Sequence, residues 1–528
     1  MTERNGTAGA PRILRLAKPK RKGLLALVFS RFLIVLLLMA AQVALYLSLL
    51  EWFREYLPHY TVVQTAFVLG MALYLFNSRM DSSAKLTWLA IIALAPLLGA
   101  VLLAYTRTDL GHRSMRRRAK ELIDGSRGAI AQDGAAMERL AGEGSGTDEL
   151  CRYLCRSGSF PIYDGTAVTY LPSGEAKLEA MLAELEKAER FIFLEYFIIE
   201  EGEMWGRVLD VLSRKAKQGV DVRVLYDGMC EITTLPSDYP RRLQKLGIRA
   251  KMFAPVTPFV STRYNYRDHR KILVIDGAVA FNGGVNLADE YINARERFGH
   301  WKDAAVMLRG DAVRSFTLLF LQMWNLDEKT PEFRPELLQS PRAEDAAGFV
   351  MPYGDCPLDG DKVGESVYMD VLYRAHRYVH VMTPYLILDG EVEAALKYAA
   401  QRGVDVKLIL PGIPDKKSAY ALAKTHYAAL LDAGVKLYEY APGFVHAKVF
   451  VSDDRKAVVG TINLDYRSLY HHFECATYLY QTPCVADVER DFADTLRQCR
   501  PVTPETVRHE KLGYRLAGLV LKLIAPLL

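Results

Sequence analysis

The chain contains the pattern H-x-K-x4-D twice, first as His269-Arg270-Lys271-Ile272-Leu273-Val274-Ile275-Asp276 and again as His446-Ala447-Lys448-Val449-Phe450-Val451-Ser452-Asp453. A glycine-containing segment ending in asparagine follows each copy, and Asn286 and Asn463 both lie 17 residues after their motif histidine. One such pattern arises by chance in roughly a few per cent of chains of this length, so a single copy would be weak evidence. Two copies with matched spacing indicate two equivalent halves.

Each copy predicts a buried strand that carries half of a catalytic site. The residues between lysine and aspartate are mainly apolar (272–275 and 449–451), which is typical of a strand covered on both faces. Side chains at i and i+2 project from the same face of a strand, so each histidine points the same way as its lysine. Two facing halves would supply two imidazoles, two ammonium groups and two amides. This set suits a phosphodiester, whose charge must be neutralised while one histidine attacks and the other donates a proton.

The paired motifs resemble those of the phospholipase D superfamily, and the sequence around them resembles bacterial cardiolipin synthases more narrowly. The stretches that carry this narrower resemblance are 194–198, 269–286, 383–385, 433–440, 442–448 and 463–468. The resemblance covers nearly all of residues 60–528. It implies a mixed α/β fold, with two tandem phospholipase D-like α/β repeats packed as a pseudo-twofold catalytic unit and preceded by N-terminal transmembrane helices.

The resemblance also implies roles for the motif residues. In this superfamily one motif histidine forms a phosphohistidine and the other moves protons. The family assigns His269 to attack and His446 to acid–base work, a choice that the pattern alone does not make. The catalytic motif residues are His269, Lys271, Asp276, His446, Lys448 and Asp453. We interpret the two aspartates, at the strand ends, as structural partners rather than as groups that react.

Four further residues are expected at the site. Asn286 and Asn463, together with the motif lysines, would hold the non-bridging phosphate oxygens in the five-coordinate transition state. A reacting histidine needs an acceptor to orient its other ring nitrogen, and the family has an acid downstream of each motif. Asp303 and Glu474 fit, 34 and 28 residues after the motif histidines of their own halves.

No cofactor and no metal is expected, because the lysines supply the positive charge and no carboxylate cluster has the spacing of metal ligands. The alternative is a metal site built from His471 and His472. The sequence departs from the family at two places: Thr461 stands where serine is usual, and His472 stands where related synthases often have asparagine. The seven cysteines have neither zinc-site spacing nor a disulfide pattern, so we interpret them as reduced thiols.

The repeat extends beyond the motifs. Residues 188–194 match 375–381, and residues 219–225 match 403–409, so each half is predicted to begin with a strand, a helix and a second strand. The predicted organisation is a basic tail (1–23), a transmembrane region (24–106), a basic juxtamembrane segment and linker (107–160), a first repeat (161–340), a second repeat (341–510) and a C-terminal amphipathic helix (511–528). Within 107–160, the polar stretch 121–160 is expected to end in one short helix.

Three apolar segments near the N-terminus predict a multi-pass protein of the bacterial cell membrane. They span about 24–50, 61–77 and 86–105, the second of them marginal in length. A secretory signal peptide is the alternative for the first segment. Basic clusters flank the region on both sides, which favours an even number of crossings, whereas three segments give an odd number. We expect the catalytic region to be cytoplasmic and the basic clusters to favour an anionic phospholipid membrane.

Leucines, valine and isoleucine recur at helical spacing between 512 and 524, interrupted by Arg515 and Lys522. This segment is too short and too charged to span a bilayer. Two interpretations stay open: the helix lies in the membrane interface, or it packs against the catalytic body.

The function predicted by the resemblance is transfer of a phosphatidyl group from one phosphatidylglycerol to another, giving cardiolipin and glycerol. A hydrolytic phospholipase D, or another phosphatidyltransferase of the superfamily, is the alternative and differs in whether water or another alcohol resolves the phosphohistidine. A nuclease on the same fold is disfavoured by the apolar segments, so no nucleic-acid partner is expected. A non-catalytic lipid-binding protein would be expected to have one decayed motif, whereas both are intact. The sequence does not indicate an oligomeric state.

Overall fold

The computed structural model describes residues 12–17, 44, 47–48, 51, 60–108, 110–255 and 266–527. Its helices are α1 (Tyr60–Phe76), α2 (Ser82–Leu94), α3 (Pro96–Thr108), α4 (Leu110–Gly125), α5 (Gly134–Gly142), α6 (Thr147–Gly158), α7 (Gly174–Leu185), α8 (Glu203–Lys217), α9 (Met229–Thr233), α10 (Tyr239–Gln244), α11 (Val313–Trp324), α12 (Val363–Tyr373), α13 (Gly390–Gln401), α14 (Lys417–Asp432), α15 (Tyr466–Tyr470), α16 (Cys484–Leu496), α17 (Pro504–Arg508) and α18 (Leu512–Ile524). Its strands are β1 (Thr166–Leu171), β2 (Phe191–Tyr196), β3 (Asp221–Asp227), β4 (Arg249–Phe253), β5 (Arg267–Asp268), β6 (Lys271–Ile275), β7 (Val279–Gly283), β8 (His300–Lys302), β9 (Ala305–Gly310), β10 (Phe349–Asp355), β11 (Tyr378–Met382), β12 (Asp405–Pro411), β13 (Lys436–Tyr440), β14 (Gly443–Val445), β15 (Val449–Ser452), β16 (Lys456–Gly460), β17 (His472–Tyr480) and β18 (Cys499–Pro501).

Two large sheets repeat one topology. The strand order of the first is β1-β9-β7-β6-β2-β3-β4, and that of the second is β10-β17-β16-β15-β11-β12-β13, with β18 added at its edge. In both, the strand–helix–strand unit is parallel (β2 with β3, β11 with β12), whereas the motif strand is antiparallel to its neighbours. The mixed α/β fold and the tandem repeat are therefore confirmed. The exact repeat boundary, between 340 and 341, stays a prediction.

The motif strand β6 is covered on both faces, as the apolar run predicts. Ile272 and Val274 join one hydrophobic cluster, while Leu273 and Ile275 join the other. Alternate side chains of a strand point to opposite faces, so this division places the sheet between two apolar layers. Helix α11, which packs against β6 and also against β10, links the first sheet to the second.

Short strands interlock the two halves. Strand β5, directly before the first motif, pairs in parallel with the start of β17, so that Arg267 lies opposite His472 and Asp268 opposite Phe473. Strand β8, directly before Asp303, pairs in parallel with β14, which ends at Val445 just before the second motif histidine. Each motif is thereby held against the segment of the other half that carries an orienting acid.

The N-terminal apolar segments differ from the straight spans that the sequence suggests. Predicted segment 86–105 is divided between α2 and α3, because Pro96 has no backbone N–H and cannot continue the preceding helix. Segment 61–77 corresponds to the 17-residue helix α1, and segment 24–50 lies outside the described residues except for 44, 47 and 48. Within the described part of the chain, no helix combines the length and the apolar content that a membrane crossing requires.

The polar stretch 121–160 contains more structure than a linker with one short helix. Helices α5 and α6 both lie in it, and the end of α4 precedes them. Leu140, Cys151 and Leu154 are fully buried in the larger hydrophobic cluster. Gly142-Glu143-Gly144-Ser145-Gly146, which looks like flexible linker in the sequence, contains the last residue of α5 and the short connection to α6.

Candidate active site

The two motif histidines lie at the interface between the halves, where backbone hydrogen bonds from the opposite half fix them. The N–H of His269 donates to the carbonyl of Phe473 at 2.9 Å, and the N–H of His446 donates to the carbonyl of Lys302 at 2.7 Å. Both side chains are more than nine-tenths buried. The interlocking strands therefore fix the backbone of each histidine independently of its side-chain contacts.

The orienting acids are crossed between the halves. Nδ1 of His269 lies 2.9 and 3.0 Å from the two carboxylate oxygens of Glu474, and Nδ1 of His446 lies 2.7 Å from Oδ2 of Asp303. Each histidine is thus held by the acid that follows the other motif. Because Nδ1 is occupied in both rings, Nε2 is the nitrogen left for chemistry.

The motif lysines are fully buried beside the histidines. Nζ of Lys448 lies 2.9 Å from Nε2 of His446, within reach for a shared proton. Nζ of Lys271 donates to the carbonyl oxygen of His269 at 2.5 Å. Lys448 therefore lies next to the reacting nitrogen of His446, and Lys271 contacts the backbone of His269, on the same side of the strand as the i, i+2 spacing predicts.

The two asparagines are buried in the same region but have different partners. Oδ1 of Asn286 accepts from the N–H of Ile198 at 3.0 Å, and its Nδ2 donates to the hydroxyl of Tyr291 at 2.7 Å. Nδ2 of Asn463 reaches Oδ2 of Asp465 only at 3.4 Å. Within the part of the chain that the structure describes, Oδ1 of Asn463 has no hydrogen-bond partner.

The motif aspartates lie at the far ends of the motif strands and cap the neighbouring strand. Asp276 accepts backbone N–H bonds from Glu189, Arg190 and Phe191 at 2.7–2.8 Å. Asp453 accepts the equivalent bonds in the second half, from residues 376–378 at 2.8–3.0 Å. Both aspartates have positive φ angles, 53° and 56°, so the two turns share one backbone conformation. Their contacts are those of structural residues.

Burial keeps both imidazoles neutral in the free site. It lowers the pKa of His269 well below the ordinary range, and the nearby Lys271 adds to the effect. Burial, followed by the charge of Lys448, lowers the pKa of His446 to about 4, although Asp303 opposes the shift. A neutral imidazole whose Nδ1–H points at a carboxylate has a free electron pair at Nε2, which is what a nucleophile requires.

The lysines and acids are also shifted. Burial lowers the pKa of Lys448 to about 7 and that of Lys271 to about 8, against the opposing charges of Asp303 and Glu474. Burial raises the pKa of Glu474 well above its usual value despite Lys271. For Asp303, burial acts in the same direction, but His446 and Lys448 outweigh it and hold the pKa below the ordinary value. In the Asp303–His446–Lys448 group, the positive partners therefore outweigh burial in setting the pKa of the acid, whereas at Glu474 burial dominates.

The two halves also differ at the residue that supports the acid. Thr461, in the second trailing segment, donates its hydroxyl hydrogen bond to Oε2 of Glu474. The equivalent residue of the first half is Gly284, where an added Cβ would lie only 2.1 Å from Oδ1 of Asp303. The first half therefore needs glycine to admit its acid, whereas the second half uses a hydroxyl to hold its acid.

Aromatic residues and one further histidine complete the site, and the motif pattern gave no signal for the aromatic ones. The ring of Phe197 lies 4.9 Å from that of His269, and the rings of Tyr291 and Trp301 each lie 5.4 Å from that of His446. His472, noted in the sequence only as a departure from the family, has its ring 5.2 Å from that of His269. Neither ring nitrogen of His472 has a hydrogen-bond partner among the described residues.

One group in the site has the donor atoms for a metal ion. The donor atoms of His269, His472 and Glu474 lie within 4.8 Å of one another. A metal bound there would use the carboxylate of Glu474, which already contacts Nδ1 of His269, so it would compete with the crossed hydrogen bond. A second group, Glu365, Asp389 and Glu391, contains no motif residue. Metal-independent chemistry stays a prediction.

Comparisons with known proteins agree with this geometry. The structure resembles the crystal structure of phosphatidylserine synthase from Haemophilus influenzae with a TM-score of 0.53 and 16% identity, over 68% of this chain and 93% of that one, which shows a common fold. The fold and its duplicated motif define a phospholipase D-like protein.

More specifically, the family model for the phospholipase D-like domain of cardiolipin synthase matches residues 181–324 and 368–496. A cardiolipin synthase of Geobacillus kaustophilus is 34% identical over 94% of this chain and 99% of its own length. An uncharacterised protein of Streptococcus mutans is 59% identical over 87% of this chain and 100% of its own length. The chain belongs to the bacterial cardiolipin synthase family of the phospholipase D superfamily.

Proposed function

We propose that this chain is a phosphatidyltransferase that joins two phosphatidylglycerol molecules into cardiolipin and releases glycerol. The observation that carries the proposal is the crossed pair of histidine–carboxylate contacts, 2.9 Å for His269 with Glu474 and 2.7 Å for His446 with Asp303, at one buried interface. Family membership and the named activity of the relatives supply the substrate.

In the first step, Nε2 of His269 attacks the phosphorus of one phosphatidylglycerol and forms a P–N bond. The P–O bond to the glycerol headgroup breaks, and His446 gives the departing oxygen a proton. Lys448, with Nζ at 2.9 Å from Nε2 of His446, supplies that proton to the neutral ring, and it regains a proton through His446 in the second step. The entering phosphate brings a negative charge that favours the protonated form of this pair.

In the second step, His446 takes the proton from the glycerol hydroxyl of a second phosphatidylglycerol. The resulting oxygen nucleophile attacks phosphorus, the P–N bond breaks, and His269 is restored. Water in place of the alcohol would give phosphatidic acid, the product of a hydrolytic phospholipase D. The aromatic side chains around both histidines favour an apolar lipid as the acceptor over bulk water.

Lys271 and Lys448 neutralise the charge that builds up on the equatorial oxygens, with Asn286 and Asn463 as amide donors. Preorganised donors of this kind stabilise the transition state without reorganising water, and removal of one typically costs about 10²–10³ in rate. Glu474 and Asp303 hold the tautomers of their histidines. Asp276 and Asp453 act on the strands and not on the phosphate.

We further propose that the enzyme is a multi-pass protein of the bacterial cell membrane, with its catalytic region on the cytoplasmic side. Segments 24–50, 61–77 and 86–105 are the proposed anchor. Exposed apolar side chains on α1 to α3 support membrane contact; they include Val62, Leu69, Leu73, Phe76 and Leu94. Basic residues on both flanks favour an anionic leaflet.

The test is to incubate the purified protein with phosphatidylglycerol vesicles and identify the lipid products, with His269→Ala as the inactive control. Cardiolipin and free glycerol in equal amounts, absent with the variant, are expected. Phosphatidic acid as the main product would identify a phospholipase D, and unchanged activity of the variant would remove His269 from the mechanism.

A further inference from the structure

The C-terminal helix α18 packs on the catalytic body through one face and leaves an apolar stripe on the other. Gly518 is buried against α14, where an added Cβ would lie 2.6 Å from the carbonyl oxygen of Ala421. The opposite side presents exposed apolar residues, Leu512, Leu516, Leu519, Val520 and Leu523. The sequence left two interpretations of this helix open. Packing against the catalytic body applies to the face with Gly518, and contact with the membrane interface applies to the exposed apolar face.

A cavity of about 330 Å³ lies beside this stripe, between α14, α17 and α18. Three basic side chains, Arg508, Arg515 and Lys522, line it together with the hydroxyl-bearing Thr425 and Thr506. Among the described residues, none of these three basic groups makes a side-chain hydrogen bond or an ion pair. Lys424, the fourth cation of the lining, is already paired with Glu510 and Glu439.

Unpaired cations next to an exposed apolar stripe match one chemical class of ligand. The oxygens of a phosphate ester would accept hydrogen bonds from the basic side chains, the anionic leaflet around it would offset the remaining positive charge, and acyl chains would cover the leucines. A free phosphate would leave the stripe in water, and an apolar helix of a partner protein would leave the cations unpaired. An anionic phospholipid in a bilayer leaflet satisfies both.

The surroundings of α18 connect it to the apolar N-terminal helices and to the chain segment that leads to His472. Thr87 of α2 donates its hydroxyl to the carbonyl of Leu523 at 2.7 Å, which joins α18 to the apolar N-terminal helices. The 3₁₀ turn after α18 buries Ala525 against Tyr466 of α15. Helix α15 ends at Tyr470, just before His472 at the site.

We propose that the cavity and the stripe together form a leaflet site, which binds an anionic phospholipid outside the catalytic centre and seats the catalytic body on the membrane. Arg508, Arg515 and Lys522 bind the headgroup phosphate, and the leucines of α18 lie among the acyl chains. The leaflet site does not depend on the transfer reaction, so a catalytically inactive protein can test it.

The test measures amide hydrogen exchange of the full-length His269→Ala protein in nanodiscs of phosphatidylcholine, with or without phosphatidylglycerol. Exchange over residues 504–527 should slow severalfold when phosphatidylglycerol is present. The triple variant Arg508→Glu/Arg515→Glu/Lys522→Glu, made in the same His269→Ala protein, should abolish this difference. Each basic residue at an anionic surface strengthens binding by about fivefold, so three together contribute on the order of 100-fold.

The matched control is Lys217→Glu/Arg241→Glu/Lys245→Glu, which changes the net charge equally on α8, on α10 and just after α10, and should keep the difference. The milder triple glutamine variant at the leaflet site should also lose most of it, with exchange in β6 and β15 unchanged as the sign of an intact fold. Any of three results would overturn the proposal. These are equal exchange in both nanodisc types, a triple glutamate variant that behaves like its parent, and loss of the exchange difference in the control. Slowing by inorganic phosphate in phosphatidylcholine nanodiscs would also overturn it.

Discussion

At the scale of single residues, the crossed acids give the two histidines separable roles. If His446 only protonates the leaving alcohol, a phosphatidyl ester of p-nitrophenol should bypass it, because nitrophenolate leaves without a proton. His446→Ala and Asp303→Asn should lose about 10²–10⁴ in turnover of phosphatidylglycerol yet release nitrophenolate in a burst of one equivalent per site. His269→Ala and Glu474→Gln should show no burst in stopped-flow absorbance.

A burst from His269→Ala would reverse the two roles. Wild-type protein supplies the reference amplitude, and thermal unfolding of each variant shows whether it is folded.

The pH dependence of kcat/KM should reflect the titration of Lys448. Its pKa is lowered to about 7 by burial, so its ammonium form is lost as the pH rises through that value. We therefore expect kcat/KM to fall above about pH 7, by up to tenfold per pH unit, while the limb due to protonation of His269 lies well on the acid side of the ordinary histidine pKa of about 6.5.

Lys448→Arg is the matched variant for this prediction, since arginine stays charged over the whole range. Its alkaline limb should move upward even if its maximal rate is lower. An alkaline limb at the same pH in both proteins would assign that limb to another group.

The sequence indicated candidate site residues but not how they pair. His269, His446 and their lysines were predicted from the matched spacing of the repeat, whereas Asp303 and Glu474 were predicted from the family resemblance. The crossing of Glu474 to His269 depends on the pairing of β5 with β17, a contact between segments far apart in the chain. No local pattern encodes such a contact. The position of His472, whose Nδ1 lies 3.5 Å from Oε1 of Glu474 without a hydrogen bond, likewise becomes visible only in three dimensions.

At the scale of elements, we expect the motif aspartates to stabilise the fold and to have little effect on the rate of the reaction. Each accepts three backbone N–H bonds at the start of a strand, so Asp276→Ala and Asp453→Ala should lower the free energy of unfolding by about 1–3 kcal/mol. kcat at a temperature where the protein stays folded should be nearly unchanged. Thermal unfolding combined with steady-state assays checks both quantities.

Asp345→Ala, at an exposed aspartate between the halves, is the control and should change neither quantity. A large loss of kcat without a loss of stability at Asp276 or Asp453 would place that aspartate in the reaction.

The motif strands followed from continuous apolar runs, and the strand–helix–strand unit at the start of each half followed from the internal repeat. The N-terminal helices did not follow as fully, because an apolar window does not register that Pro96 ends α2. Helix α5 was missed, and α6 was expected only as a short helix at the end of a linker, because their many polar residues and flanking glycines suggest a linker. A few buried side chains such as Leu140 and Leu154 suffice to dock both helices.

At the scale of the whole molecule, the interlocked halves mean that one chain builds one complete site. Strands β5 and β8 of the first half pair with β17 and β14 of the second half within the same chain. Full-length His269→Ala mixed or co-expressed with full-length His446→Ala should therefore remain inactive. The measurement is cardiolipin formation by the co-purified mixture.

Wild-type protein diluted with either variant should retain activity in proportion to its own amount. Recovery of activity by the two inactive variants together would mean that halves exchange between chains.

The central claim is that the phosphatidyl group passes through His269. The most direct measurement is to mix His446→Ala with the nitrophenyl phosphatidyl ester, denature the protein at mildly alkaline pH after the burst, and locate the adduct by mass spectrometry. A phosphatidyl group on the peptide that contains His269, and none on His269→Ala treated in the same way, is the predicted result. An adduct on His446 in the His269→Ala protein, or a burst without any adduct, would contradict the account.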